Sequence, residues 1–336
     1  TTIAEIGDGA FASCTQLTAL DINVPTIGAE AFSYCSAIQT LTIGKDVASI
    51  GNLAFAHCGA LSSIEVAAEN AVYDSRESCN ALVNTASNTI LTGSKATTIP
   101  ASVTAIGDFA FSTCQIATLT IPDNVATIGA SAFYNCGSLE SVVLPAGLTR
   151  IEDSTFYGCY SLANITIPDG VTYIGKEAFS SCSAITAITL PEGIGEYGDN
   201  AFYNTGLTSV TSLRATAVEA NAELFGYSGC PVYTDATLTV PFGSRFSYYT
   251  TTPWSKFTNI KEGIGNIVLT APTFSVEGGT YDDDVTLEIT NPNDRGKIYY
   301  YTTNERTVRE YTTTIKLTFF PRLRREFCQC VIDILN

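Results

Sequence analysis

The chain has 336 residues and a formal net charge of −16, from 33 acidic against 17 basic side chains. That balance argues against nucleic-acid binding and against docking on anionic lipid, both of which need basic patches. Only 15% of residues are charged and mean hydropathy is slightly positive, yet no stretch approaches the ~18 consecutive apolar residues of a spanning helix, so direct membrane insertion is not expected. There are 11 cysteines, no methionine and a single histidine, His57, which leaves little room for the commonest general base and zinc ligand. Thr1-Thr2-Ile3 opens within a repeat and without a signal-peptide core, which reads as a mature or trimmed chain.

From the first residues onward one pattern recurs, Ile-Gly-x-x-Ala-Phe-x-x-Cys-x-x-Leu-x-x-Leu-x-Ile. It runs through Ile6-Gly7, Ala10-Phe11, Cys14, Leu17, Leu20 and Ile22, and again through Ile27-Gly28, Ala31-Phe32, Cys35, Ile38, Leu41 and Ile43. The key phenylalanines are Phe11, Phe32, Phe55, Phe111, Phe133, Phe156, Phe179 and Phe202, separated by 21 to 23 residues except for one gap of 56. Each unit holds a short strand in which apolar residues point inward and threonine outward, as in Leu41-Thr42-Ile43, Leu119-Thr120-Ile121, Ile165-Thr166-Ile167 and Ile188-Thr189-Leu190. Pro122, Pro145, Pro168 and Pro191 end such strands. Ile-Gly is expected to turn the chain, and Ala-Phe-x-x-Cys to form a helical or 3₁₀ turn against the strand layer. So short a unit cannot bury its own apolar face, and neighbours must stack into a curved solenoid with a parallel sheet along one face.

The gap at 67–105 reads as one enlarged repeat. Asn80-Ala81-Leu82-Val83 and Thr89-Ile90-Leu91 flank a polar Asn84–Asn88 turn, which predicts a β-hairpin. After Leu213 the pattern decays into Val240-Pro241-Phe242-Gly243, Tyr248-Tyr249, Trp254, Phe257 and Ile260, large apolar groups suited to covering the open end of a solenoid. A short linker at 262–271 follows. Then Pro272-Thr273-Phe274, Val285-Thr286-Leu287-Glu288-Ile289 and Lys297-Ile298-Tyr299-Tyr300-Tyr301-Thr302 alternate like strands. Residues 305–336 carry six Lys or Arg against four Asp or Glu and match neither pattern. They are either the last strand of this second module or sequence foreign to it.

The repeats resemble the BspA-like leucine-rich repeats of the Treponema pallidum type, over roughly residues 3–212. The enlarged copy, with Tyr73-Asp74-Ser75 and Cys79-Asn80-Ala81, is similar to a variant from gut Bacteroides members. The resemblance implies an α/β-type repeat solenoid over 1–212, right-handed and closed by a cap at 213–262. It further implies a bacterial cell-surface or secreted protein whose relatives serve in adhesion. The stretch 263–336 resembles the small all-β Ig-like sandwich appended to chitobiases and β-hexosaminidases, an accessory module that implies an alternative role in carbohydrate binding.

Chemistry-bearing residues are few. Cys14, Cys35, Cys58, Cys114, Cys136, Cys159 and Cys182 occupy one repeat position, which reads as a column of small buried side chains beside the phenylalanines. Cys79 and Cys230 are left open, Cys328 and Cys330 are too close for an easy mutual bridge, and the odd total leaves at least one free thiol. His57 sits where other copies carry Ser13, Tyr34, Thr113, Asn135, Gly158 or Ser181, a tolerant position expected to face solvent. Asp282-Asp283-Asp284 is either a charged hairpin tip or a calcium site. Asn164-Ile165-Thr166 is a glycosylation sequon placed within a strand. No nucleophile elbow, phosphate loop or dinucleotide fingerprint is present, so no catalytic residue, metal or cofactor is expected. The remaining candidate is the outward face of the sheet: Asp21, Thr42, Glu65, Thr120, Val143, Thr166, Thr189 and Thr211. It is hydroxyl-rich and poor in charge, and suits a host extracellular protein or glycan. Threonine's strand propensity explains the same pattern without a ligand.

Overall fold

The computed structural model describes residues 3–264 and backbone segments at 273–274, 285–290, 298–302, 305–311, 315–319 and 329–331. The chain divides into two units, Thr1–Ile264 and Gly265–Asn336.

In the first unit the apolar–threonine alternation forms the expected strands. Ala19–Ile22, Thr40–Ile43 and Ser63–Val66 pair in parallel and in register, with Leu41 and Ile43 buried and Thr40 exposed. The same layer resumes with Thr118–Thr120 beside Ser141–Val143, and again with Ala187–Leu190 beside Ser209–Ser212. Between those two blocks the expected strand at Ile165–Ile167 does not form. Only a bridge from Ser141 to Asn164 remains, and nothing pairs 164–167 with Ala187–Leu190. Asn164 is therefore exposed outside a regular strand, and not within one.

Ile-Gly does more than turn the chain. Glu5–Ile6, Thr26–Ile27 and Ser49–Ile50 form a second parallel sheet of two-residue strands, as do Arg150–Ile151, Tyr173–Ile174 and Glu196–Tyr197. The Gly28 N–H donates to the Ile6 carbonyl at 2.8 Å. A Cβ on Gly28 would lie 2.5 Å from the Asp8 backbone nitrogen, so glycine here serves the close approach of successive repeats.

The Ala-Phe-x-x-Cys segment is not helical, which corrects the α/β reading of the solenoid to a parallel-strand β-solenoid joined by turns. Two residues per copy lie in the left-handed region, two before and two after the phenylalanine: Glu30 and Tyr34 at φ 54° and 60°, Ser131 and Asn135 at 55° and 54°. An L-residue helix does not continue through such positions. Alternate amides instead bond forward to the next repeat and back within the turn. Phe32 and Tyr34 N–H donate to the Ala54 and Ala56 carbonyls at 2.8 and 2.9 Å, whereas Ser33 and Cys35 donate to Glu30 and Phe32. Left-handed backbone costs on the order of 1–3 kcal/mol per non-glycine residue, a cost offset only when the next repeat supplies its carbonyls.

The phenylalanines stack face to face in two columns. Phe11, Phe32 and Phe55 form one, with centroids 5.2 and 5.6 Å apart. Phe111, Phe133, Phe156, Phe179, Phe202 and Phe225 form the other at 5.2–5.4 Å. The break falls at the enlarged repeat, where Ala81–Asn84 and Thr89–Gly93 make an antiparallel hairpin whose second strand joins Ala105–Ile106 in the short-strand sheet. Gly93 lies against the Phe111 ring so closely that any Cβ would collide with it. The apolar core is correspondingly split, with Ile22–Leu82 residues in one cluster and Cys79–Ile260 residues in the other.

Although the sequence pattern fades after Leu213, stacking does not. Thr237–Pro241 and Asn259–Ile264 add two more parallel strands, and Phe225 adds the last ring. Trp254 and Phe257, both expected there, and Tyr233, which was not, then meet the Phe225 ring edge-on at 5.3–5.9 Å and end the column. The Trp254 indole N–H donates to the Val218 carbonyl at 2.7 Å. Among the described residues of this unit, helical segments are confined to Arg76–Ser78, Pro231–Asp235, Arg245–Thr250 and Trp254–Lys256. In the second unit Val285–Thr290 pairs antiparallel with Thr273–Phe274 and Ile315–Phe319, and Ile298–Thr302 with Glu305–Tyr311 and Gln329–Val331.

A ring stacked on both faces should matter more than one at an end. Phe156→Ala is expected to cost about 3–5 kcal/mol in chemical denaturation. Phe11→Ala, at a ring 43% exposed and stacked on one face, is expected to cost less than half as much.

Candidate functional site

Seven of the eight candidate residues of the sheet face fall into rows set by strand register. Asp21, Thr42 and Glu65 stand side by side on adjacent strands, separated by the strand spacing of about 5 Å. Thr120 faces Val143 in the second block. Thr189 faces Thr211 in the third, and that row continues through Thr239 to Lys261, two residues missing from the candidate set. The Thr237-Leu238-Thr239-Val240 alternation carries the same signal as Thr118-Leu119-Thr120-Ile121 and was open to the same reading. Thr166 joins no row. It lies with Val143, Ser141 and Asn164 in an open groove of about 550 Å³ where the sheet is interrupted. Val143 is 58% exposed there, an apolar side chain on an otherwise polar face.

Cysteines of the repeat position are packed beside the phenylalanines and are also hydrogen-bonded. The thiols of Cys35, Cys136, Cys159 and Cys182 donate to the carbonyls of Phe11, Phe111, Phe133 and Phe156, each in the preceding copy, at 2.8–3.1 Å. Burial pushes the Cys58 thiol up to about 12 and the Cys114 thiol up to about 11, so neither is a nucleophile near neutral pH. Cys79 and Cys230 are buried and unbridged. Among the described residues no three His, Cys, Asp or Glu side chains are placed to hold a metal ion, and no helix is long and apolar enough to cross a membrane. Asp282–Asp284, Cys328 and the side chain of Cys330 lie outside the described residues.

His57 departs most from expectation. It is 8% exposed, not solvent-facing, because its ring stacks on Tyr34 at 4.2 Å and meets Phe109 and Tyr134 edge-on at 5.5 and 5.8 Å. Its backbone N–H donates to the Ser112 hydroxyl at 2.9 Å, tying the turn before the enlarged repeat to the turn after it. Imidazole Nδ1 is buried without a partner. Tyr134 stacks in turn on Tyr157 at 4.9 Å. Sequence reading missed this strip because its members occupy two different repeat positions, one and two residues after the phenylalanine. Only the left-handed turn brings those positions together.

A family model described as "BspA type Leucine rich repeat region (6 copies)" matches residues 1–103 and again 104–228. The chain belongs to the BspA-type leucine-rich repeat family. The pneumococcal vaccine antigen PcpA is similar in fold, with a TM-score of 0.61 and 17% identity over 78% of this chain and 71% of that one. A leucine-rich repeat protein from Bacteroides ovatus aligns with a TM-score of 0.47 and 24% identity over 78% of this chain and 64% of that one. A leucine rich cell surface protein from Faecalibacterium prausnitzii aligns with a TM-score of 0.46 and 22% identity, over 79% and 70%. No curated protein matches.

Burial of His57 lowers its pKa below the ordinary 6.5. Below that pH the unfolded chain takes up a proton that the folded repeat resists, so this group's effect on stability is flat above pH 6.5 and unfavourable below it. Denaturation midpoints should therefore fall as the pH drops below 6.5 in the native protein. The fall should shrink in His57→Phe, which keeps the stack and removes the titrating group.

Proposed function

We propose that this leucine-rich repeat protein is a non-enzymatic interaction protein of the bacterial surface or exterior, binding a host extracellular protein or glycan through the strand face of its solenoid. The observation that carries this reading is the register of the face. Outward residues of successive repeats stand in register on a hydrogen-bonded sheet, Asp21 beside Thr42 and Thr189 beside Thr211, so a ligand meets a preformed surface and little ordering entropy is lost on binding. Membership of the BspA-type family supports the surface assignment. The binding residues in this reading are Asp21, Thr42, Glu65, Thr120, Val143, Thr166, Thr189 and Thr211. Residues 1–212 are the binding solenoid, 213–262 its cap, and 263–336 an Ig-like spacer. The antiparallel strand pairs of the second unit are compatible with that spacer.

The test is binding of the purified chain to immobilised mucin, matrix proteins and a glycan array at micromolar concentration. Thr42→Arg, Thr120→Arg and Thr189→Arg together are expected to weaken any ligand found by at least tenfold while thermal stability is retained. Binding that survives the triple substitution, or that maps to residues 263–336, would sink the reading.

A further inference from the structure

Away from the strand face, the turns carry an unassigned aromatic strip. Tyr34, His57, Tyr134 and Tyr157 form an unbroken series of ring contacts at 4.2, 5.8 and 4.9 Å, with Phe109 packed against its middle. Tyr34 is 55% exposed, although large apolar rings on a solvated surface are ordinarily isolated. Within the strip the buried His57 Nδ1 has no hydrogen-bond partner. Such an atom costs free energy unless something completes it.

The turns that carry the phenylalanines are acidic in sequence. They bear Asp8, Glu30, Asp108, Asp153, Glu177 and Asp199 against the cation Lys176, and of these Glu177 acts on the Tyr134 phenol of the strip. Asp8, Asp108 and Asp153 accept an N–H from the following repeat and so have a structural duty. Glu30, Glu177 and Asp199 make no side-chain hydrogen bond among the described residues. Burial raises the Tyr134 phenol pKa, and the neighbouring Tyr157, Tyr34 and Glu177 raise it further, in keeping with an acidic, aromatic setting.

Other tyrosines of this unit already hold a cation. Arg150 lies 3.9 Å over the Tyr173 ring, and Arg245 and Lys256 lie 5.1 Å over Tyr249 and Tyr233. Among the described residues no cation lies over Tyr34, Tyr134 or Tyr157. Guanidinium groups stack on aromatic rings and pair with carboxylates at once, and tyrosine and arginine dominate protein-interface hot spots.

We propose that the Tyr34–His57–Tyr134–Tyr157 strip is a second interaction surface, distinct from the strand face, that docks an arginine-bearing protein surface. Lysine supplies the same charge but not the planar stacking group, so the surface discriminates between the two cations.

The test compares deca-arginine with deca-lysine on the full chain by fluorescence anisotropy at 150 mM salt. Deca-arginine is expected to bind at least fivefold tighter. The charge-neutral triple variant Tyr34→Ser, Tyr134→Ser, Tyr157→Ser is expected to lose about tenfold in deca-arginine affinity and to leave deca-lysine unchanged. Tyr34→Ser alone, at a mostly exposed ring, keeps the test open if the triple variant unfolds, and is expected to lose two- to threefold. Equal binding of the two peptides, an arginine preference that survives these substitutions, or no binding of either peptide would overturn the proposal.

Discussion

The first unit rests on the contact between one repeat and the next. A single turn places two residues in left-handed backbone, strands only two residues long, and a phenylalanine with two bare faces. Each of these is unfavourable alone. Stacked, the Phe133 N–H reaches the Thr155 carbonyl at 2.9 Å, its ring is covered on both sides, and the Cys159 thiol reaches back to its carbonyl at 3.1 Å. The repeat is therefore a unit of sequence and not a unit of stability, as expected for a solenoid whose energy is a sum of neighbour terms.

The same contact explains the odd composition. Low charge and many cysteines follow from repeating a mostly buried unit in which one small position must fit beside the phenylalanine column. A thiol suits it because it packs like an apolar group and also donates to a carbonyl that would otherwise carry one bond fewer. Burial raises the pKa of Cys35, Cys58, Cys79, Cys114, Cys136 and Cys182, which takes these thiols out of nucleophilic chemistry near neutral pH.

Much of this was legible in the residues. The period, most strands of the apolar–threonine layer, the burial of Cys35 or Cys136, the hairpin residues 81–93 and the aromatic cover around Trp254 all follow from spacing and polarity. What was not legible depends on backbone dihedrals that composition does not encode. Leu53 and Phe109 are unlikely residues for a positive φ, yet both adopt one because their place in the stack demands it. That demand turned an expected helical turn into a left-handed one, moved His57 from solvent into an aromatic strip, and joined Tyr34 to Tyr134 across repeat positions that look unrelated in sequence. The lapse of the sheet at Asn164–Ile167 likewise has no signature in a segment that alternates as well as its neighbours.

Because the enlarged repeat divides the phenylalanines into a short column and a long one, stability should be graded along the chain. Native-state hydrogen exchange of the amides that bond forward to the next repeat tests this most directly. The account predicts that the Phe156 and Phe179 amides, inside the long column, exchange slowest. It predicts faster exchange at Phe32, and the fastest at Phe11, whose repeat has a neighbour on one side only among the described residues. Equal protection at all four amides, or slowest exchange at Phe11, would contradict the claim that each repeat is held by its neighbours.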